Sequence, residues 1–316
     1  MSNKNNICPS FLIIGAQKAG TTTLYDILNK TNLFCGSKTK EVGFFSKDYF
    51  FNKGIEYYHK EFQTDKITFE ATPEYLYYDF VPERIYKYNP NMKFIVLLRN
   101  PVDRCYSAWN MFRTFNKNNP GSIYDKFTRY ANNNIKKNIM ELLFSENFPS
   151  FSNSIQKEIE SIKNFDSSVE PSFVRRGLYA EQIKRYLKYF KMDNFLFIEQ
   201  SELKDIQKSL NKICSFLQVE KIEVLNKENI VKNEGVYENL TYEDRNTMSF
   251  LEEFYKPYNE ELFKLIGCRY NWNDKELQLK EQELNQTKQS LQSKESELSQ
   301  TKQNLQTKEQ ELNQTK

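Results

Sequence analysis

The chain has 316 residues, enough for one large or two small domains around a sizeable buried core. Its 25 Phe and 20 Tyr argue against a disordered chain. With 45 basic and 42 acidic residues the net charge is only +3, which excludes a histone-like nucleic-acid binder and leaves room for a local basic pocket. We therefore expect no nucleic-acid partner.

Short apolar runs alternate with helical stretches along most of the chain. Because these runs are continuous and apolar, they are typical of strands buried on both faces of a sheet. The alternation predicts an α/β domain over residues 1–273, with three layers around a central parallel sheet. The predicted strands are FLIIG (11–15), ITFEA (67–71), KFIVLL (93–98) and FLFIEQ (195–200).

The first strand leads into a glycine-bounded loop, in the segment FLIIGAQKAGTTTLYDIL at residues 11–28. Backbone N–H groups in such a turn, together with the N-terminus of the next helix, form a site for an anion. Thr21 and Thr22 can cap that helix and add hydroxyl donors. The segment predicts a P-loop-like phosphate site, and a Gly-rich turn without a ligand is the alternative.

The loop departs from the nucleotide-triphosphatase signature G-x-x-x-x-G-K-[ST] at one position. Gly15 and Gly20 have the expected spacing, but Thr21 occupies the place of the lysine, which lies inside the loop as Lys18. In a nucleotide triphosphatase that lysine contacts the β- and γ-phosphates, whereas Lys18 would lie beside a group that is transferred directly from a single phosphate. This displacement argues against an ordinary NTPase.

A second candidate anion site follows the strand at 93–98, in KFIVLLRNPVDRCYSAW. Arg99 ends the strand, and Ser107 follows in the first turns of the next helix. Ligands of parallel sheets bind at the carboxyl ends of the strands, and a guanidinium with a nearby hydroxyl suits phosphate. Alone, Arg99 is equally compatible with a structural role. With the first loop, it predicts two anion sites on one edge of the sheet.

Residues 274–316 form a separate tail without Gly, Pro or aromatic residues. Leucines recur at the seven-residue spacing of a coiled coil, but the partner apolar position holds Glu or Lys. The pattern predicts a heptad-repeat helix that either self-associates weakly or stays a charged, solvated helix. The leucines are Leu277, Leu284, Leu291, Leu298, Leu305 and Leu312.

The histidine and cysteine content limits the chemistry and suggests a compartment. The single histidine, His59, excludes a histidine-cluster metal site, and its aromatic-rich surroundings favour a packing or surface role. Five scattered cysteines without a C-x-x-C pair are typical of buried free thiols in a reducing compartment. No apolar run is long enough to span a bilayer, and MSNKNNICPS lacks a signal-peptide core, so we expect a cytoplasmic protein.

The pair GAQKAGTT and LLRNPVDRCYS resembles the signature of sulfotransferases that use 3′-phosphoadenosine 5′-phosphosulfate (PAPS). The resemblance is closest to the carbohydrate branch, which includes heparan-sulfate-modifying enzymes, and it extends over residues 10–270. It implies that the first loop holds the 5′-phosphosulfate and that the later segment holds the 3′-phosphate. The donor-binding residues that it implies are Gly15, Gln17, Lys18, Ala19, Gly20, Thr21, Thr22, Arg99, Ser107 and Lys232.

The segment KEVGFF at 40–45 is similar to an acidic segment of the same family. The resemblance implies that Glu41 is the general base and Lys18 the second catalytic residue, in an in-line displacement that needs no metal. A surface acid paired with Lys38 or Lys40 is the alternative role for Glu41. The implied acceptor is a hydroxyl or amine of a carbohydrate or small molecule. Ala71 stands where several heparan-modifying members have a lysine, which weakens the expectation of an acidic sugar.

Two other functions remain open from the sequence. A P-loop kinase for a small metabolite or nucleoside would share the sheet and the loop, but its Walker lysine is displaced here. A non-catalytic nucleotide-binding scaffold would use the heptad tail as its interaction module. Arg175, Arg176, Tyr179 and Gln182 stay unassigned between donor, acceptor and surface roles.

Overall fold

The computed structural model describes residues 8–62, 66–118, 120–121, 133–165, 170–223 and 240–272. The chain separates into two units, Met1–Tyr270 and Asn271–Lys316, and only residues 271 and 272 of the second are described. The predicted heptad tail at 274–316 and the predicted donor contact Lys232 therefore lie outside the described residues. The coiled coil, the self-association and the boundary at residue 273 stay predictions.

Five parallel strands in the order β2-β3-β1-β4-β5 form the centre of the first unit. They confirm the predicted parallel sheet, and all four predicted strands are present. The strand β2 was not predicted, because three residues are too few to show a periodic pattern. The strands are β1 (Phe11–Gly15), β2 (Phe34–Gly36), β3 (Ile67–Ala71), β4 (Lys93–Leu98) and β5 (Phe195–Glu199).

Helices flank this sheet, which gives the predicted three-layer α/β arrangement. The α-helices of the described residues are α1 (Thr21–Asn29), α2 (Asp48–Phe51), α3 (Ile55–His59), α4 (Val81–Tyr88), α5 (Pro101–Asn118), α6 (Asn133–Leu143), α7 (Phe151–Lys163), α8 (Tyr179–Leu187), α9 (Ile206–Leu217) and α10 (Tyr242–Ile266).

The many aromatic residues of the sequence build two apolar regions. In the sheet, Phe11 of β1 stacks on Phe69 of β3 with ring centroids 5.2 Å apart. A second cluster joins α5, α7 and α10 around buried rings such as Trp109, Phe151 and Tyr255. Together they provide the core that the composition predicted.

The cysteines only partly match the prediction of buried thiols. All five are free, but Cys8 and Cys268 are exposed, so the prediction is wrong for these two. Cys105 and Cys214 are buried, because they face the interior from α5 and α9. Within the described ranges, no helix is long and apolar enough to cross a membrane.

The strand order positions the candidate site. The strand β1 lies in the middle of the sheet. The next two strands along the chain, β2 and β3, lie to one side of β1, and β4 and β5 lie to the other side. Ligands of such sheets bind at the carboxyl ends of the strands where this change of side occurs. The loop after β1 therefore lies between the end of β3, marked by Thr72, and the end of β4, marked by Arg99.

Candidate active site

The loop between β1 and α1 is a compact turn held to the sheet. The backbone N–H of Ala16 donates to the carbonyl of Leu97 over 2.7 Å, which continues the pairing of β1 with β4, and the N–H of Ala19 folds back to Ala16 over 3.1 Å. Gly20 has a φ of 94° and directly precedes α1. Because the first N–H groups of a helix have no helical partners, this end of α1 offers donors to an anion.

Gly15 allows a close approach that a side chain would block. A Cβ at this position would lie 2.8 Å from the Cβ of Leu76 and 3.1 Å from the carbonyl oxygen of Pro73. The turn after β3 therefore packs directly against the start of the loop. This contact, rather than an unusual φ, is the reason for glycine here.

Arg99 connects the second predicted anion site with the first. Its Nη1 donates to the carbonyl oxygen of Lys18 over 3.1 Å. The hydroxyl of Tyr179 donates to the carbonyl of Arg99 over 2.9 Å, and so fixes the backbone at the end of β4. The side-chain Oδ1 of Asn100 accepts from the N–H of Val102 over 2.9 Å, as expected at the start of a helix. The two predicted anion sites thus lie on one sheet edge.

Lys18 lies among three other charged groups. Its backbone has a φ of 67°, in the left-handed region. Burial is the main reason why the pKa of its ammonium is lowered, and Arg99 and Arg104 lower that pKa further, while the Glu41 carboxylate raises it. Lys18 is therefore within electrostatic reach of both Arg99 and Glu41.

Glu41 lies on the other side of the loop, at the end of β3. Its backbone N–H donates to the carbonyl of Ala71, the last residue of that strand, over 3.2 Å. Its carboxylate accepts from the ammonium of Lys40, with Oε1 and Nζ 2.8 Å apart. The ion pair with Lys40 that the alternative role required is present. The same carboxylate also raises the pKa of the Lys18 ammonium, and so the ion pair with Lys40 does not exclude a role beside Lys18.

Apart from Lys232, which lies outside the described residues, the remaining donor residues implied by the resemblance lie along the loop and on α5. Ala19 and Thr21 are buried, and Gln17 and Thr22 are half-buried. Ser107 lies at the end of the second turn of α5 and is only 3% exposed. A ligand that binds this hydroxyl would therefore have to reach it below the protein surface.

Sequence reasoning missed Arg104 and the structural role of Arg176. Arg104 is fully buried; its Nη2 donates to the carbonyl of Phe173, whereas Nε and Nη1 have no hydrogen-bond partner within the described ranges. Arg176 is 8% exposed, lies over the ring of Tyr77 at 4.1 Å, and pairs with Glu170 at 3.5 Å. An arginine in a helical pattern suggests a solvated face, so the sequence held no local signal for the burial of Arg104.

His59 has a packing role, one of the two roles that the sequence left open for it. Its Nε2 forms a hydrogen bond with the hydroxyl of Tyr88 at 2.9 Å, and burial lowers the pKa of its ring. In the part of the chain that the structure describes, no group of three or more His, Cys, Asp or Glu side chains is arranged to hold a metal ion.

The comparison with protein families fits this geometry. The family model described as the sulfotransferase domain matches residues 9–234, well over half of the chain. The chain belongs to the sulfotransferase domain family. The match includes the loop after β1, Glu41, and the segment from Arg99 to Ser107. The predicted family is thereby confirmed, and the chain is a PAPS-dependent sulfotransferase.

Individual relatives support the carbohydrate branch. The human heparan sulfate glucosamine 3-O-sulfotransferase 5 is 26% identical over 285 residues, which cover 84% of this chain and 74% of that protein. The human bifunctional heparan sulfate N-deacetylase/N-sulfotransferase 3 is also 26% identical, covering 82% of this chain but 30% of its own length. Among solved structures, a sulfotransferase from Alicyclobacillus acidocaldarius has a TM-score of 0.60 at 24% identity, covering 84% of this chain and 99% of its own. This last likeness confirms the fold.

The residues at the sheet edge suit the donor that this family uses. PAPS presents two anionic ends, the phosphosulfate and the 3′-phosphate. The glycine-bounded loop offers backbone N–H groups and Lys18 to one anion, and Arg99 offers a guanidinium beside the same loop. Because a Cβ at Gly15 would collide with Leu76, the shape of the loop between β1 and α1 depends on the glycine that the sequence has there.

Proposed function

We propose that the enzyme transfers the sulfuryl group of PAPS to a hydroxyl or amine of a carbohydrate, with Glu41 as the general base. One observation carries the proposal: Arg99 donates to the carbonyl of Lys18, and the Glu41 carboxylate raises the pKa of the Lys18 ammonium. Both support a site in which the loop, the guanidinium and the carboxylate act together. The loop residues Gly15, Gln17, Lys18, Ala19, Gly20, Thr21 and Thr22 would hold the 5′-phosphosulfate, and Arg99 and Ser107 the 3′-phosphate. Lys232 stays a further candidate.

In this mechanism Glu41 accepts the proton of the acceptor as its oxygen or nitrogen forms a bond to sulfur. The bond between sulfur and the bridging oxygen of the 5′-phosphate breaks, and its electron pair leaves with adenosine 3′,5′-bisphosphate (PAP). Lys18 stabilises the negative charge that develops on that oxygen and phosphate. As in phosphoryl transfer, positioning and charge stabilisation provide most of the rate enhancement. We propose that this reaction, unlike many phosphoryl transfers, involves no metal.

The acceptor class rests on the relatives. Two of them are named for heparan sulfate, which supports a carbohydrate acceptor for this enzyme. Ala71 lies directly beside Glu41, because its carbonyl accepts the Glu41 N–H, and it brings no positive charge to this position. Neutral glycans therefore belong in the acceptor panel beside heparan sulfate, and small hydroxylated molecules are the second class to test. A cytoplasmic location stays a prediction.

The first test separates donor binding from turnover. Calorimetric titration should show tight binding of PAP and much weaker binding of ADP and ATP, because only PAP has a 3′-phosphate. Preference for ATP would favour a kinase, and binding of none would favour a scaffold.

With radiolabelled PAPS and the acceptor panel, Glu41→Gln should lower kcat by roughly 10²–10⁴-fold while PAP affinity stays within twofold. Glu56→Gln, on an exposed residue of α3, is the matched control. Full turnover in Glu41→Gln would refute the base assignment.

A further inference from the structure

Glu70 is a buried carboxylate that the proposed mechanism does not use. It lies in β3 and is fully buried. Three hydroxyl groups donate to it: Thr72 to Oε1 over 2.6 Å, Tyr75 to Oε1 over 2.7 Å, and Tyr58 to Oε2. A buried carboxylate is tolerated only when such donors satisfy it, so this cluster represents a specific arrangement.

Two of these hydroxyls also bind the backbone of the segment that contains Glu41. The N–H of Gly43 donates to Oγ1 of Thr72 over 3.3 Å, and the N–H of Phe45 donates to the hydroxyl oxygen of Tyr75 over 3.2 Å. Each of these two hydroxyls gives its single proton to Glu70, and its oxygen then accepts from the backbone amide. Glu70 therefore orients both hydroxyls as acceptors for the backbone of residues 43 and 45.

The segment needs such tethers because part of its backbone is unfavourable. Glu41 has a φ of 63°, in the left-handed region, whereas Gly43, with a φ of 68°, has no side chain that this region would strain. A residue with a side chain persists there only when its surroundings hold it. The N–H of Glu41 is tied to Ala71, and the amides of Gly43 and Phe45 are tied through the hydroxyls to Glu70.

We propose that Glu70 is a positioning residue for the base: through Thr72 and Tyr75 it fixes residues 41–45, and with them the Glu41 carboxylate, against the end of β3. This inference rests on the proposed role of Glu41. A displacement of about 1 Å in a reacting group can cost on the order of 10²-fold in rate, so loss of the tether should slow turnover without weakening donor binding.

Two tyrosine variants provide a matched test. Tyr75 and Tyr58 are both fully buried and both donate to Glu70, but only the oxygen of Tyr75 accepts a backbone amide of the segment. In Tyr75→Phe, hydrogen exchange of the Phe45 amide should accelerate about tenfold, because one hydrogen bond is lost. In Tyr58→Phe, exchange of the Gly43 and Phe45 amides should stay within twofold of the wild type. Equal acceleration in both variants, or none in Tyr75→Phe, would overturn the proposal.

Thr72 provides a second route to the same answer if Tyr75→Phe does not fold. Thr72→Val removes the hydroxyl at nearly constant shape and should accelerate exchange of the Gly43 amide, whereas Thr72→Ser keeps the hydroxyl and should restore protection. Protection that persists in Thr72→Val would count against the tether.

Turnover then separates positioning from general destabilisation. Release of PAP from PAPS in water requires no identified acceptor and should slow by about 10²-fold in Tyr75→Phe, while calorimetric PAP affinity stays within twofold. In a Glu41→Gln background, Tyr75→Phe should cause no further loss, because both changes act through the same carboxylate. An additive loss would refute positioning through Glu41. If Glu41→Gln alone leaves turnover unchanged, the base assignment fails, while the exchange pattern still reports on the tether.

Discussion

Arg99 and Lys18 are joined by a hydrogen bond of 3.1 Å from the guanidinium Nη1 to the backbone carbonyl oxygen. The two residues come from the ends of neighbouring strands, β4 and β1. A guanidinium has five N–H donors, and this contact uses one of them. Arg99 can therefore hold the donor loop and bind a phosphate at the same time, which couples the two ends of the donor site.

For PAP affinity, the planar guanidinium donors of Arg99 should matter more than its positive charge. Arg99→Lys keeps the positive charge but loses the planar donors, so PAP affinity should fall by about 10–100-fold in calorimetric titration. ADP lacks the 3′-phosphate, and its weaker binding should change less. Arg113→Lys, at a residue that lies over Trp109 in α5, is the control and should leave PAP affinity unchanged. Equal losses for PAP and ADP would mean that Arg99 acts only on the loop.

Lys18 should make anion binding depend on pH. Burial and the neighbouring arginines lower the pKa of its ammonium, so this charge is lost at lower pH than for an ordinary lysine. PAP affinity should therefore fall as the pH rises through the lowered pKa, and binding there should take up protons, because the anion favours the charged form. Titrations in buffers of different ionisation enthalpy measure this uptake. Lys18→Arg should remove both effects, and their persistence in that variant would assign them to another group.

Gly15→Ala should destabilise the enzyme through overpacking. The new Cβ would lie 2.8 Å from the Cβ of Leu76, so strand or turn must shift. We expect the free energy of unfolding to fall by about 1–3 kcal/mol in urea titration. At Gly121 a Cβ meets nothing within 4 Å, and Gly121→Ala is expected to change stability by less than about 0.5 kcal/mol. Similar effects at both glycines would exclude the contact with Leu76 as the cause.

Glu158 should give the stability a pH dependence in the acidic range. This buried carboxylate accepts from the N–H groups of Phe173, Val174 and Arg175, yet burial outweighs these bonds and raises its pKa to about 6. The folded enzyme thus holds the proton more tightly than the unfolded chain. The stabilisation is present below the ordinary pKa of 4.5 and is lost as the pH rises through about 6.

The size of this effect should be on the order of 2 kcal/mol, the equivalent of the raised pKa. The measurement compares the free energy of unfolding of the wild type and of Glu158→Gln between pH 4 and 7, since their difference isolates this residue. Glu141→Gln, at an exposed position of α6, is the control. If the difference in free energy of unfolding between the wild type and Glu158→Gln does not change with pH over this range, the assignment to Glu158 is wrong.

Much of the fold could be predicted because its elements have strong local patterns. The strands β1, β3, β4 and β5 are continuous apolar runs, and each lies within one residue of its predicted bounds. The strand β2, with three residues, and its place at the sheet edge beyond β3 depend on pairing with a distant segment. Such pairing leaves no local signal.

The candidate site divides in the same way. The spacing of Gly15 and Gly20, the displaced Lys18, and Arg99 at a strand end are local features, and they were sufficient to predict two anion sites on one edge. Which groups meet there is decided by the strand order, because β1 is placed between β3 and β4.

The sequence by itself determined the parallel α/β sheet, the anion loop and the family of this protein, because these depend on residues close together in the chain. Only the tertiary structure brought Arg99 to the carbonyl of Lys18, and tied residues 41–45 to Glu70 through Thr72 and Tyr75. These contacts join segments that are distant in sequence, and their hydrogen bonds form only after the strands have aligned.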